Sequence, residues 1–296
     1  MQRKTAKDFD QELLVLFDAY VHGSLDRRGF LEAAQKFAVG GVTSMGLLAA
    51  LSPDFANAQV IAKDDKRLLI QMLEFASPLG HQRIKVYMAR PVNLTGKLPG
   101  ILIGHENRGL NPHIEDIARR IALEGYIAFA PDALTSLDGY PGNEDKAREL
   151  FNKLEQNKIT EDFISAAGAL ASHRDCSGKI GAVGFCWGGG MVHKLAIRLT
   201  QLSAAVPFYG DSPPPSEAAK VKSQMMMHFA GIDDRINKPW PAYEEALKAA
   251  GVTFTVHHYL GTQHGFNNDT TPRFSEPEAK LAWGRTMDFF AKTLRN

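Results

Sequence analysis

Apolar and polar positions alternate in two rhythms along most of this chain. Short apolar runs at 99–104, 126–130, 180–183, 205–208, 223–230 and 253–259 have the length and β-rich character of strands. Between and after them, 114–124, 189–199, 240–250 and 277–294 carry helical spacing. Strand runs alternating with helical runs predict a mostly parallel sheet with helices on both faces, an α/β architecture. Ahead of this region the pattern changes. Positions 13–20 read as an amphipathic helix, and 37–51 is a mildly apolar, Gly-containing stretch too short for a membrane span.

The run at 180–183 ends in Gly184-Phe185-Cys186-Trp187-Gly188, with a helix predicted next. Strand, sharp turn and helix with a nucleophile at the apex is the G-x-S-x-G elbow, here with sulfur in place of oxygen. A cysteine there meets the positive end of a helix dipole, which favours the thiolate. In such folds the acid and then the histidine follow the nucleophile in chain order. The run at 223–230 leads into Gly231-Ile232-Asp233-Asp234, and an Asp past a strand's C-terminal end sits where α/β sites assemble. The spacing leaves Asp233 and Asp234 both open. The run at 253–259 leads into Gly261-Thr262-Gln263-His264-Gly265-Phe266, a loop suited to a general base. His257 and His258 lie inside the strand run, so at least one points away from any site. Three histidines between 257 and 264 match no zinc spacing, and no metal is expected.

The run at 99–104 ends in His105-Glu106-Asn107-Arg108-Gly109. That loop is where an α/β-hydrolase places its second oxyanion donor, so the backbone N–H groups of Asn107 and Trp187 are the expected pair. Glu106 stands at the strand end, as a site carboxylate or a charge favouring the following helix. Arg108 is a candidate for a substrate carboxylate or a partner of Glu106. Tyr140, in the loop 132–141, and Tyr209, at the end of the run 205–208, are candidate pocket residues. Cys176 and Cys186 are the only cysteines, and both are expected free.

Taken together, His105-Glu106-Asn107-Arg108-Gly109, Gly184-Phe185-Cys186-Trp187-Gly188-Gly189, Gly231-Ile232-Asp233 and Gln263-His264-Gly265-Phe266 resemble the dienelactone hydrolase (carboxymethylenebutenolidase) family over roughly 68–294. The resemblance implies an α/β-hydrolase fold and a Cys186–His264–Asp233 triad. It favours Asp233 over Asp234, because Ile236 follows three residues on. It implies that Glu106 contacts the resting thiol and helps deprotonate it. The activity implied is hydrolysis of activated esters or lactones through a thioester, without cofactor. The family pattern has an Arg four residues past the His; here that position is Asn268, leaving Arg108 or Arg273 for any substrate carboxylate. Alternatives are a broad-range carboxylesterase or thioesterase, a non-catalytic binding module, or a thiol-redox protein on the same fold.

Composition is ordinary for a globular protein, with 44% hydrophobic and 23% charged residues. A net charge of +1 gives no reason to expect nucleic acid, so the partner is a small ester or lactone. Residues 1–58 form a separate segment ahead of a hydrolase-like domain at 59–296. Arg27-Arg28-Gly29-Phe30-Leu31, the apolar stretch and Ala56-Asn57-Ala58 resemble a twin-arginine export signal with its cleavage site. That reading places the mature enzyme in the periplasm, starting near Gln59. Asp8, Asp10, Glu12, Asp18 and Asp26 offset the basic residues, so a retained helical extension on a cytoplasmic enzyme is the alternative.

Overall fold

The computed structural model describes residues 4–295. Four helices come first: α1 (Gln11–Val21), α2 (Arg27–Ala33), α3 (Ser44–Leu51) and α4 (Phe55–Ala58). Strands β1 (Leu68–Ser77), β2 (Gln82–Pro91) and β3 (Leu98–Gly104) follow. Then come α5 (Pro112–Leu123), β4 (Ile127–Pro131), α6 (Glu144–Phe151), α7 (Gln156–Ala171), β5 (Cys176–Phe185), α8 (Trp187–Arg198) and β6 (Leu202–Phe208). The chain ends with β7 (Gln224–Ile232), α9 (Asp234–Asn237), α10 (Trp240–Ala249), β8 (Phe254–Gln263) and α11 (Glu276–Leu294).

The strands make one eight-stranded sheet in the order β1-β2-β4-β3-β5-β6-β7-β8. β1 and β2 pair antiparallel, β2 meets β4 antiparallel, and every pairing from β4 to β8 is parallel. The predicted strands and helices are all present, within a few residues of the sequence boundaries. A central parallel strand is covered on both faces, so its side chains alternate between two cores. On β3, Leu102 joins the core with Phe129, Phe163 and Leu195, whereas Ile101 and Ile103 join the opposite one with Ile117 and Phe290. This is the α/β-hydrolase fold.

The N-terminal helices build a third apolar cluster from Leu13, Leu14, Phe17, Tyr20, Phe30, Leu48 and Leu51. No helix of the described residues is long and apolar enough to cross a membrane. The Arg27-Arg28 pair opens α2, capped by Asp26, whose carboxylate accepts from Gly29 N at 2.7 Å. Arg27 pairs with Asp145 at 2.7 Å, and Ala56-Asn57-Ala58 lies within α4.

Candidate active site at the nucleophile elbow

Cys186 sits between the end of β5 and the start of α8 with φ 55° and ψ −117°, a left-handed conformation costly for a residue bearing Cβ. The surrounding packing enforces it. A Cβ on Gly184 would lie 2.1 Å from Gly188 O, and one on Gly188 would lie 2.2 Å from Gly104 O. Only glycine lets β5, α8 and β3 approach this closely, which explains both flanking residues of the motif. Trp187 is the first residue of α8, where a backbone N–H has no partner within the helix. Its indole stacks on His105 with centroids 5.2 Å apart.

β7 and β8 bring the other two groups together. Ile232 and Gln263 are register partners at the strand ends, so Asp233 and His264 leave the sheet side by side. His264 Nδ1 lies 2.6 Å from Asp233 Oδ2, with both side chains buried. The ambiguity between the two aspartates ends there, because Asp234 is exposed and pairs with Lys238 at 3.2 Å. His257 and His258 remain in β8, stacked on His228 and Phe229.

The β3–α5 loop differs in detail from the expectation. Glu106 Oε2 accepts from Asn268 Nδ2 at 2.9 Å. Arg108 is buried and turned to Glu144, with Nε 3.6 Å from Oε2, rather than to Glu106. Its NH2 donates to Val21 O at 3.2 Å, and the Asn107 side chain donates to the same carbonyl at 3.1 Å. Arg273 pairs with Asp18 at 3.1 Å. Tyr140 lies on the pocket wall and donates to Glu144 at 2.8 Å. Tyr209 is buried with its ring centroid 4.9 Å from that of His264, so it supports the histidine. Cys176 opens β5; it and Cys186 are both free thiols.

Sequence reasoning missed His22. It caps the C-terminal end of α1, and its Nε2 lies 3.4 Å from Cys186 Sγ. Nδ1 lies 2.8 Å from Asp18 O and 3.3 Å from Asp18 Oδ2. The signal available was an amphipathic helix, and nothing in its spacing points at a residue 164 positions away. Burial alone would raise the Cys186 thiol, but the facing His264 and His22 imidazoles prevail and bring it down to about 6. Burial likewise disfavours charge on His264, yet the sulfur charge and the Asp233 bond push it up to about 10. His22 follows the same logic: burial opposes its charge, while Cys186 and Asp18 raise it.

A sulfur and two ring nitrogens, from Cys186, His22 and His264, lie within 4.8 Å of one another and could in principle ligate a soft cation. Arg235 NH2 lies 3.1 Å from His22 Nε2, a fixed positive charge opposing a metal there. Cys186 and His264 open into a cavity of 350 Å³. Its walls come from the loops that carry Glu106, Cys186 and His264 and from Phe17, Tyr20, Val21 and Phe55 of the N-terminal helices. A larger groove of 840 Å³ beside α8 contains neither Cys186 nor His264.

The sheet order, the elbow and the acid–histidine pair define a hydrolase of the α/β-hydrolase fold. A model of the dienelactone hydrolase family matches residues 84–294. The chain belongs to that family. A separate YqhI-like model matches residues 1–39. Among relatives, "Putative hydrolase fragment YghX" of Escherichia coli (strain K12) is 44% identical over 38% of this chain and 97% of its own length. "Putative carboxymethylenebutenolidase" of Salmonella typhi is 31% identical over 70% of this chain and 82% of its own. The crystal structure of "Putative Dienelactone Hydrolase" from Klebsiella pneumoniae superposes with a TM-score of 0.67 at 28% identity, covering 76% of this chain and 99% of that one.

Proposed function

We propose that this protein hydrolyses activated esters or lactones through a Cys186–His264–Asp233 triad and a thioester intermediate. The observation that carries the reading is the 2.6 Å Asp233–His264 contact beside a cysteine held at the apex of the elbow. Cys186 thiolate attacks the carbonyl carbon, and the carbonyl electron pair moves to oxygen. The backbone N–H groups of Trp187 and Asn107 receive that oxyanion. His264, held by Asp233, gives its proton to the leaving oxygen, then takes one from the water that attacks the thioester. Thiolate is also a good leaving group, so enol esters and strained or activated lactones suit it better than alkyl esters, and amides least.

A broader range of esters is the second reading, and specific contacts favour it. Asn268 stands where the family pattern has Arg. Arg108 and Arg273 are already engaged by Glu144, Val21 and Asp18. A substrate without a carboxylate therefore fits this cavity better than dienelactone itself. We further propose that the segment before Gln59 stays on the working enzyme, in the periplasm or the cytoplasm, because its helices wall the cavity.

The test is p-nitrophenyl acetate hydrolysis, extended to a panel of lactones, enol esters and alkyl esters. Iodoacetamide should abolish turnover with Cys186 as the modified residue. Turnover that persists in Cys186→Ala would remove the mechanism and reopen the binding and thiol-redox alternatives.

A further inference from the structure

We infer that His22, supplied by the N-terminal helix α1, is a catalytic residue that activates the Cys186 thiol in place of Glu106. The inference rests on the cysteine being the nucleophile and deepens that reading.

Three observations carry it. His22 Nε2 touches the reacting sulfur at 3.4 Å, whereas Glu106 is tied to Asn268. The other nitrogen of His22 is hydrogen-bonded to the Asp18 backbone carbonyl at 2.8 Å, with the Asp18 carboxylate 3.3 Å away. The ring is thus oriented by the helix end and faces a carboxylate charge, whereas His264 is held by the Asp233 carboxylate itself at 2.6 Å. The position of α1 is fixed by buried cations of the catalytic domain. Arg108 donates to Val21 O, Arg148 donates to Tyr20 O, and Arg273 pairs with Asp18. Carbonyls at a helix C-terminus carry partial negative charge, so these contacts suit the end of α1 that bears His22.

Two imidazoles on one sulfur allow a division of labour. The thiol proton moves from Sγ to Nε2 of His22, and the S–H electron pair remains as the thiolate. His264, already protonated, keeps its own proton for the leaving oxygen. In the second half of the reaction neutral His264 takes the water proton, and collapse of the tetrahedral intermediate returns the thiolate beside protonated His22. The proton count closes over the cycle without moving through Glu106. The charged groups facing His22 are Asp18, Cys186, His264 and Arg235. Arg235 opposes a proton on Nε2, and Asp211 draws on that guanidinium at 3.0 Å. The thiolate and Asp18 act the other way and hold the proton on nitrogen, and Asp18 keeps it there while sulfur is acylated.

The experiment is the pH dependence of iodoacetamide alkylation at Cys186, located by peptide mass, in the full chain and in His22→Gln, Asp18→Asn and Glu106→Gln. His22→Gln is expected to raise the thiolate midpoint by about one pH unit, the usual reach of an opposite charge within a few ångströms. Asp18→Asn should move it the same way by less, and Glu106→Gln should move it less than His22→Gln. At pH 5, below the thiol value of about 6, kcat/KM for ester hydrolysis should fall about tenfold in His22→Gln, narrowing to about twofold at pH 7 and vanishing as pH rises further, because a shift of one unit is a tenfold change in thiolate only where the thiol is mostly protonated. An unmoved midpoint in His22→Gln, or a larger shift in Glu106→Gln, overturns the assignment. Should His22→Gln fail to fold by circular dichroism, Asp18→Asn decides, and an unmoved midpoint in that folded variant overturns it equally. Alkylation needs no ester. A protein that alkylates as described yet hydrolyses nothing would refute the hydrolase reading and leave the role of His22 at the sulfur intact.

Discussion

Asn268 donates its side-chain N–H to Glu106 Oε2 at 2.9 Å, and its Oδ1 accepts from Thr270 N at 3.0 Å and Thr270 Oγ1 at 2.5 Å. One buried amide thus ties the loop after β8 to the loop after β3, across the mouth of the site. Removing it leaves buried polar groups without partners, at about 1–3 kcal/mol for an unsatisfied group. Asn268→Ala should therefore lower the thermal midpoint by several degrees, and Asn268→Asp should lower it further by setting a second carboxylate against Glu106. Thermal denaturation followed by circular dichroism checks the order. An Asn268→Asp protein as stable as the parent would show that this contact does not hold the loops.

The paired titration of Cys186 and His264 fixes the shape of the pH profile. In the proposed mechanism the competent form carries a thiolate and a protonated His264. With the thiol brought down to about 6, activity should rise with pH through that value. With His264 held near 10, activity should fall as pH passes that value and the acid for the leaving oxygen is lost. The profile of kcat/KM reports these groups in the free enzyme. A broad plateau between the two limbs is expected with an alkyl ester, whose leaving oxygen needs the proton. An acid limb near 9, the ordinary thiol value, would mean that the imidazoles do not stabilise the sulfur charge.

Asp233→Asn keeps the shape of the acid but removes its charge from His264 Nδ1. His264 then loses both its orientation and part of the stabilisation of its protonated form. General acid–base catalysis by a positioned side chain contributes roughly 10²–10⁴-fold, and a loss in that range is expected in kcat. Asp234→Asn, on an exposed side chain paired with Lys238, should leave kcat within about twofold, since such surface pairs contribute little. Steady-state kinetics of the two variants separate the neighbours. Equal losses would break the assignment of Asp233.

The parallel sheet and the chain order of the site were legible because both follow local rules. Apolar runs such as 99–104 and 180–183 announce buried strands, and Gly184 and Gly188 announce a place where backbones nearly touch. Choosing Asp233 over Asp234 needed the register of β7 against β8, although the family pattern pointed the same way. Other features were hidden because they depend on contacts across long sequence separations. Glu106 has Asn268 as its partner, 162 positions on. Tyr209 looks like a pocket residue at a strand end, yet it is spent as a buried support for His264. His22 reaches the sulfur only because Arg108, Arg148 and Arg273 hold the end of α1, and no periodicity records such a grip. The double arginine of α2 is the same lesson reversed, since a short motif that resembles an address also opens a helix, which Arg27 ties to Asp145.

A chain cut after Ala58 tests whether the N-terminal helices belong to the enzyme. The cut removes Asp18 from Arg273, and Val21 O from Arg108 and Asn107. It also strips Phe17, Tyr20 and Phe55 from the cavity wall. Arg108 and Arg273 are 5% and 7% exposed in the intact protein; the cut leaves Arg108 with Glu144 but deprives Arg273 of Asp18, and it bares the apolar surface that the helices cover. The shortened protein is expected to lose solubility, or to fold with a markedly lower thermal midpoint and poor turnover. N-terminal sequencing of the native protein should accordingly find a start at Met1 or Gln2. A native start at Gln59, in a protein as stable and active as the full chain, would show that catalysis does not need the helices and would restore the export signal as the meaning of Arg27-Arg28.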